Sequence, residues 1–66
     1  MLTPRQTDFA DAALRVLVRE GMRAVSFRTV AAEAAMSVGA VQKAFPTKDE
    51  MLRAMFARLR ATAGGI

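Results

Sequence analysis

The chain has 66 residues, with ten Lys and Arg against six Asp and Glu, and no His, Cys, Trp or Tyr. That is one small domain at most, too short to enclose a substrate pocket of ordinary size, and without Cys or His it has no disulfide framework, no thiolate chemistry and no ordinary zinc or copper ligand set; no enzyme, metal or cofactor is expected. A net charge of +4 and an isoelectric point near 11.2 point to an anionic partner, nucleic acid before an acidic membrane surface.

Almost every segment has helical spacing, punctuated by Gly, Ser or Pro, which predicts an all-α fold: a small bundle of about four helices, near 4–20, 27–34, 38–44 and 48–62. The first opens at Thr3-Pro4-Arg5-Gln6, a capping box with Pro pre-set for the first turn. Asp8 and Asp11 are expected early in this helix, near its positive end. Phe9, Ala13, Val16 and Leu17 share a face, and Gly21 is expected to close the helix in the left-handed conformation. Leu14 and Val18 lie off the main stripe, either completing a wide apolar face or forming a patch for a further domain.

Ser26 reads as the N-cap of the second helix, whose stripe is Phe27, Val30, Ala31 and Ala34. Ser37 opens the third helix, with Val41 and Phe45 on its buried side, and Pro46 stops it for want of an amide. Thr47 caps the fourth, and Thr47-Lys48-Asp49-Glu50 has the form of another capping box. Met51, Leu52, Met55, Phe56 and Leu59 make its apolar face, the two methionines as packing residues, and Ala63-Gly64-Gly65 ends it.

No apolar run approaches the roughly 20 residues of a membrane span, and the N-terminus lacks a basic region followed by an apolar one, so a cytoplasmic location is expected. The two short helices across 27–44, joined by a turn of about three residues, have the helix-turn-helix pattern. Ala31, Ala32, Ala34 and Ala35, with Gly39 and Ala40, are small enough for close approach at the crossing. The second helix is then free to project its outer face into a major groove.

The stretch FRTVAAEAAMSVGAVQKAFPTKDEML, from Phe27 to Leu52, resembles the N-terminal DNA-binding domain of TetR-family (tetracycline-repressor-like) regulators. The similarity runs back through DAALRVLVREGMRAVS, so it covers about residues 8–60. The resemblance implies a homeodomain-like DNA-binding domain over 1–66 and a bacterial transcription regulator, usually a repressor. Homodimerisation and a small-molecule inducer would belong to a larger C-terminal domain that these 66 residues do not contain. It further implies that Ser26, Ser37 and Lys48 hold phosphates of double-stranded DNA, and that Arg28, Val38, Gly39, Gln42 and Lys43 face the major groove.

Ser26 and Ser37 also suit a phosphate physically, since free amides and the dipole gather at helix N-termini. Arg28 has two readings, a guanine contact or pairing with Glu33 or a phosphate. The chain departs from the family where glycine is common, at Ala35, and where tyrosine and histidine are common, at Gln42 and Ala44. A positive φ at Ala35 would cost roughly 1 kcal/mol relative to Gly. The remaining surface suits thymine methyls and, through Gln42, an adenine. The same departures motivate a second reading, a helical protein-interaction module that has lost DNA binding.

Overall fold

The structure is a computed structural model and describes residues 1–63. Four α-helices follow one another: α1 (Pro4–Glu20), α2 (Phe27–Ala34), α3 (Val38–Ala44) and α4 (Lys48–Ala63), with a single 3₁₀ turn at Met22–Ala24 between α1 and α2. The expected Gly64–Gly65 end of α4 lies outside the described residues. The long helices α1 and α4 pack together, α2 crosses α1, and α3 rests on α2 with a smaller contact to α1.

Local chemistry sets each boundary. Thr3 Oγ1 accepts from Gln6 N at 3.1 Å while Gln6 Oε1 accepts from Thr3 N at 3.0 Å, which completes the capping box of α1. Gly21 does close α1, its amide donating to the Leu17 carbonyl at 2.9 Å, but at φ 94° and ψ 169° it lies outside the left-handed helical region. That backbone state is essentially reserved for glycine, and it turns the chain into the 3₁₀ segment rather than straight into a loop. Ser26 caps α2 through a box with Thr29, in which Ser26 Oγ accepts from Thr29 N at 3.1 Å and Thr29 Oγ1 from Ser26 N at 2.9 Å. Val25 and Val30, at the two positions of a hydrophobic staple around that cap, are both fully buried.

The turn of the helix-turn-helix is Ala35–Ser37. Ala35 has φ 57° and ψ 40°, the left-handed conformation that its place in the turn required. Ala35 N donates to Ala32 O at 3.2 Å and Met36 N to Ala31 O at 2.9 Å, the two bonds of a Schellman motif. Phe45, held extended before Pro46 at φ −131° and ψ 97°, ends α3. The Thr47 box is only half built: Glu50 N donates to Thr47 Oγ1 at 3.2 Å, and no reciprocal bond forms among the described residues. Asp8 and Asp11 fall beyond the first turn of α1, because the helix already begins at Pro4; Asp11 instead meets Arg58 of α4, Nε to Oδ1 2.8 Å.

The core gathers one face from every helix. Phe9, Ala13 and Val16 of α1, Val30 of α2, Val41 of α3 with Phe45, and Met51 and Met55 of α4 are all buried, and Leu14 and Leu17 pack partly against them. Met51 and Met55 are therefore packing residues. Phe56 and Leu59 depart from the expected face of α4: they are exposed, and buried Ala54 takes their place, because α4 packs on α1 through the side that carries Met51, Ala54 and Met55. Val18, 78% exposed, does not widen the apolar face, while Leu14 does, packing partly against the core. Truncating Phe9 or Phe45 to Ala would remove roughly 3–5 kcal/mol, about what a core of this size supplies in total.

Candidate nucleic-acid interface

Helix α3 has one buried side, set by Val41 and continued by Phe45 one turn on. Helical periodicity places Gly39 and Lys43 opposite Val41, with Val38 and Gln42 on one flank and Ala40 on the other. Val38, Gly39, Gln42 and Lys43 are exposed. Gly39 was expected at the α2/α3 crossing and is not there. A Cβ added to it would meet nothing nearer than Ser37 Oγ at 3.9 Å, so its small size leaves the outer face of α3 low instead. Ala32 and Ala35 are likewise exposed, while Ala31 is buried and Ala34 and Ala40 pack partly against the core.

The hydroxyls of Ser26 and Ser37 stand at the N-termini of α2 and α3. Ser37 Oγ accepts from Ala40 N at 3.1 Å on an exposed cap; Ser26 is half-buried and its Oγ also lies 3.1 Å from Thr29 Oγ1. Thr29 Oγ1 donates to the Ala24 carbonyl at 2.6 Å, which fastens the first turn of α2 to the 3₁₀ segment. Ser26, Arg28 and Val38 share one groove of about 580 Å³, so the structure brings three residues named from sequence together across α2 and α3. Arg23 borders the same groove. Lys48 is exposed at the first position of α4, beyond the Phe45–Thr47 turn.

The ion pairs sort the charges. Glu33 of α2 accepts Arg15 Nε at 2.9 Å and Arg19 Nη2 at 2.7 Å, both from α1, and Arg19 also reaches Glu20 at 3.0 Å. These bonds, with Arg19 foremost, hold the Glu33 carboxyl below the usual carboxylate range. The Arg19 guanidinium is correspondingly raised by Glu33 and then Glu20, and Arg58 by Asp11. Glu33 is therefore occupied, and the alternative reading of Arg28 as its partner fails. Among the described residues, seven basic side chains form no ion pair: Arg53 and Arg60 lie along α4, while Arg5, Arg23, Arg28, Lys43 and Lys48 line the first turn of α1, the groove by α2, the outer face of α3 and the start of α4. Arg5 and Arg23 were not singled out from sequence. A cation two residues beyond one cap and three before another was the only local signal, and it did not say what lay beside them.

The family model for bacterial regulatory proteins, tetR family, matches residues 9–55. The chain is 44% identical over 55 residues to the HTH-type nicotine-responsive transcriptional repressor HdnoR of Paenarthrobacter nicotinovorans, a match covering 83% of this chain and 28% of that protein. It is 42% identical over 48 residues to the HTH-type transcriptional regulator PksA of Bacillus subtilis (strain 168), over 73% of this chain and 23% of that one. No solved structure matches. The chain thus spans about a quarter of the length of the relatives it matches, and that quarter holds the helix-turn-helix. With a family model over 47 consecutive residues, and the two helices, their turn and their caps in place, the chain belongs to the tetR family of bacterial regulatory proteins.

Proposed function

We propose that this chain binds double-stranded DNA sequence-specifically, as the DNA-binding domain of a bacterial transcriptional repressor, with α3 in the major groove. The observation that carries the reading is the free outer face of α3. It offers Val38, Gly39, Gln42 and Lys43 to a partner beside cations that no carboxylate of the described residues neutralises. In this reading Arg28, Val38, Gly39, Gln42 and Lys43 meet base edges, and Ser26, Ser37 and Lys48 hold backbone phosphates. Repression is supported by the relative HdnoR, a nicotine-responsive transcriptional repressor. The protein acts by binding and not by catalysis, in the cytoplasm. Dimerisation and response to a small ligand belong to sequence beyond this module, since the matched segment is only about a quarter of each relative.

One module of this size buries roughly 600–1,000 Å² on DNA, so its own affinity is weak and falls steeply with salt. The test is an amide-shift titration with a mixed-sequence duplex at two salt concentrations. Shifts at 26–29 and 37–48 that fade as salt rises support the reading. No shifts at low salt overturn it in favour of a protein-interaction module.

A further inference from the structure

A second groove, of about 450 Å³, runs along the other flank of α3, away from the one that holds Ser26 and Arg28. Its walls are Thr3, Arg5 and Gln6 from the start of α1, and Ala40, Lys43 and Ala44 from α3. The two segments are fixed to each other, since Gln6 Nε2 donates to the Ala44 carbonyl at 3.0 Å. The N-terminal amides of Thr3 and Gln6 are already spent on the capping box, so the positive character of this groove comes from the side chains of Arg5 and Lys43. Arg5 is exposed and pairs with no carboxylate among the described residues.

A helix lying in a major groove has a phosphate backbone on each side of it, one from each strand. The sequence named phosphate ligands at the N-termini of α2, α3 and α4, and none on the flank where α3 faces α1. We infer that the groove between the first turn of α1 and the C-terminal half of α3 is a further phosphate site, in which Arg5 holds the backbone that borders the Lys43 side of α3. Arg5 is then a DNA-binding residue 38 positions away in sequence from Lys43, and Gln6 is the positioning residue that keeps it over the duplex. The inference rests on the DNA-binding reading above.

The test measures the affinity of the 66-residue chain for a mixed-sequence duplex by fluorescence anisotropy between about 50 and 200 mM salt. Arg5→Ala is compared with Arg5→Lys and with Arg60→Ala, which removes the same charge from the far end of α4. Each phosphate contact contributes about 0.9 to the slope of log affinity against log salt. Arg5→Ala is expected to lower the slope by that amount, so that the loss across this salt range becomes about 3.5-fold smaller. Arg5→Lys is expected to retain most of the slope, and Arg60→Ala all of it. Circular dichroism of each variant reports on folding, which the exposed position of Arg5 leaves intact. If Arg5→Ala keeps the parent slope, or shifts it no more than Arg60→Ala, the groove is no phosphate site even though the chain binds DNA. If the parent itself fails to bind at low salt, the DNA-binding reading falls and takes this site with it.

Discussion

The side chain of Gln6 closes two helix ends at once: its Oε1 accepts from the Thr3 amide at the start of α1, and its Nε2 donates to the Ala44 carbonyl at the end of α3, each at 3.0 Å. The C-terminal turn of α3 is short and stops at Pro46, so this carbonyl has no amide ahead of it in the helix to take it up. One amide group therefore ties the two elements that flank the outer face of α3.

Gln6→Glu separates the two roles. A carboxylate at this position still accepts from Thr3, but it cannot donate to Ala44, and it brings negative charge to the negative end of α3. We expect a loss of about 1–2 kcal/mol, lowering the melting temperature by about 4–8 °C for each kcal/mol. Amide exchange should rise selectively in Val41–Phe45 while α1 stays protected. Uniform exchange across both helices would show that the bond does not position α3.

Ala35 stores strain in the turn itself. At φ 57° its Cβ opposes a conformation that glycine adopts freely, and it is the sole non-glycine residue of positive φ among those described. Ala35→Gly should raise stability by about 1 kcal/mol, seen as a higher urea midpoint at unchanged slope. Ala35→Val, β-branched at the same φ, should unfold more easily than the parent. A destabilised glycine variant would mean that Ala35 contributes packing that outweighs its backbone cost.

The Glu33 pair gives stability a pH dependence of known sign. Glu33 bonds Arg19 and Arg15 as the carboxylate, and these bonds hold its carboxyl below the usual carboxylate range in the folded chain. The folded state thus releases this proton more readily than the unfolded one. Its contribution is complete above the unfolded value near 4.3 and is lost as pH falls through the lower folded value. Denaturant midpoints measured from about pH 2 to 7 should decline less at the acid end for Glu33→Gln than for the parent. Parallel curves would show that the pair does nothing for folding. Arg15 and Arg19 are each more than half exposed, so added salt should shrink the difference between the two proteins.

The helices were readable from sequence because their ends are written in residues with one strong local preference. Thr3, Ser26 and Ser37 accept from an amide three residues on, and Pro46 has no amide to give. Gly21 was readable as an end but not as a geometry, since glycine permits several positive-φ states and only the following 3₁₀ turn selects among them. Phe56 and Leu59 carried the right spacing for a core face, yet exposure depends on which helices are present to cover them. The outer face of α3 followed from the position of Val41. The groove beside Arg5 did not, because it depends on a contact between residues 6 and 44 that no local pattern encodes.

The character of the α3 surface predicts which sequences it prefers. Val38 offers methyl groups, Gly39 allows the backbone close to a base edge, and Gln42 carries an amide able to meet adenine N6 and N7 together. Selection from random duplexes should therefore return half-sites with A·T pairs at their centre; GC-rich half-sites with no A·T preference would overturn the assignment. On a selected site, Gln42→Ala should cost about 1–3 kcal/mol and relax discrimination at one base pair, leaving affinity for unrelated duplexes unchanged. Lys48→Ala should do the reverse. In the proposed reading its charge meets phosphate in every sequence, so binding weakens evenly across sites and the salt slope drops by about 0.9. The two variants differ in kind as well as size, and a Gln42 variant that lost affinity for all duplexes equally would place Gln42 on the backbone and not on a base.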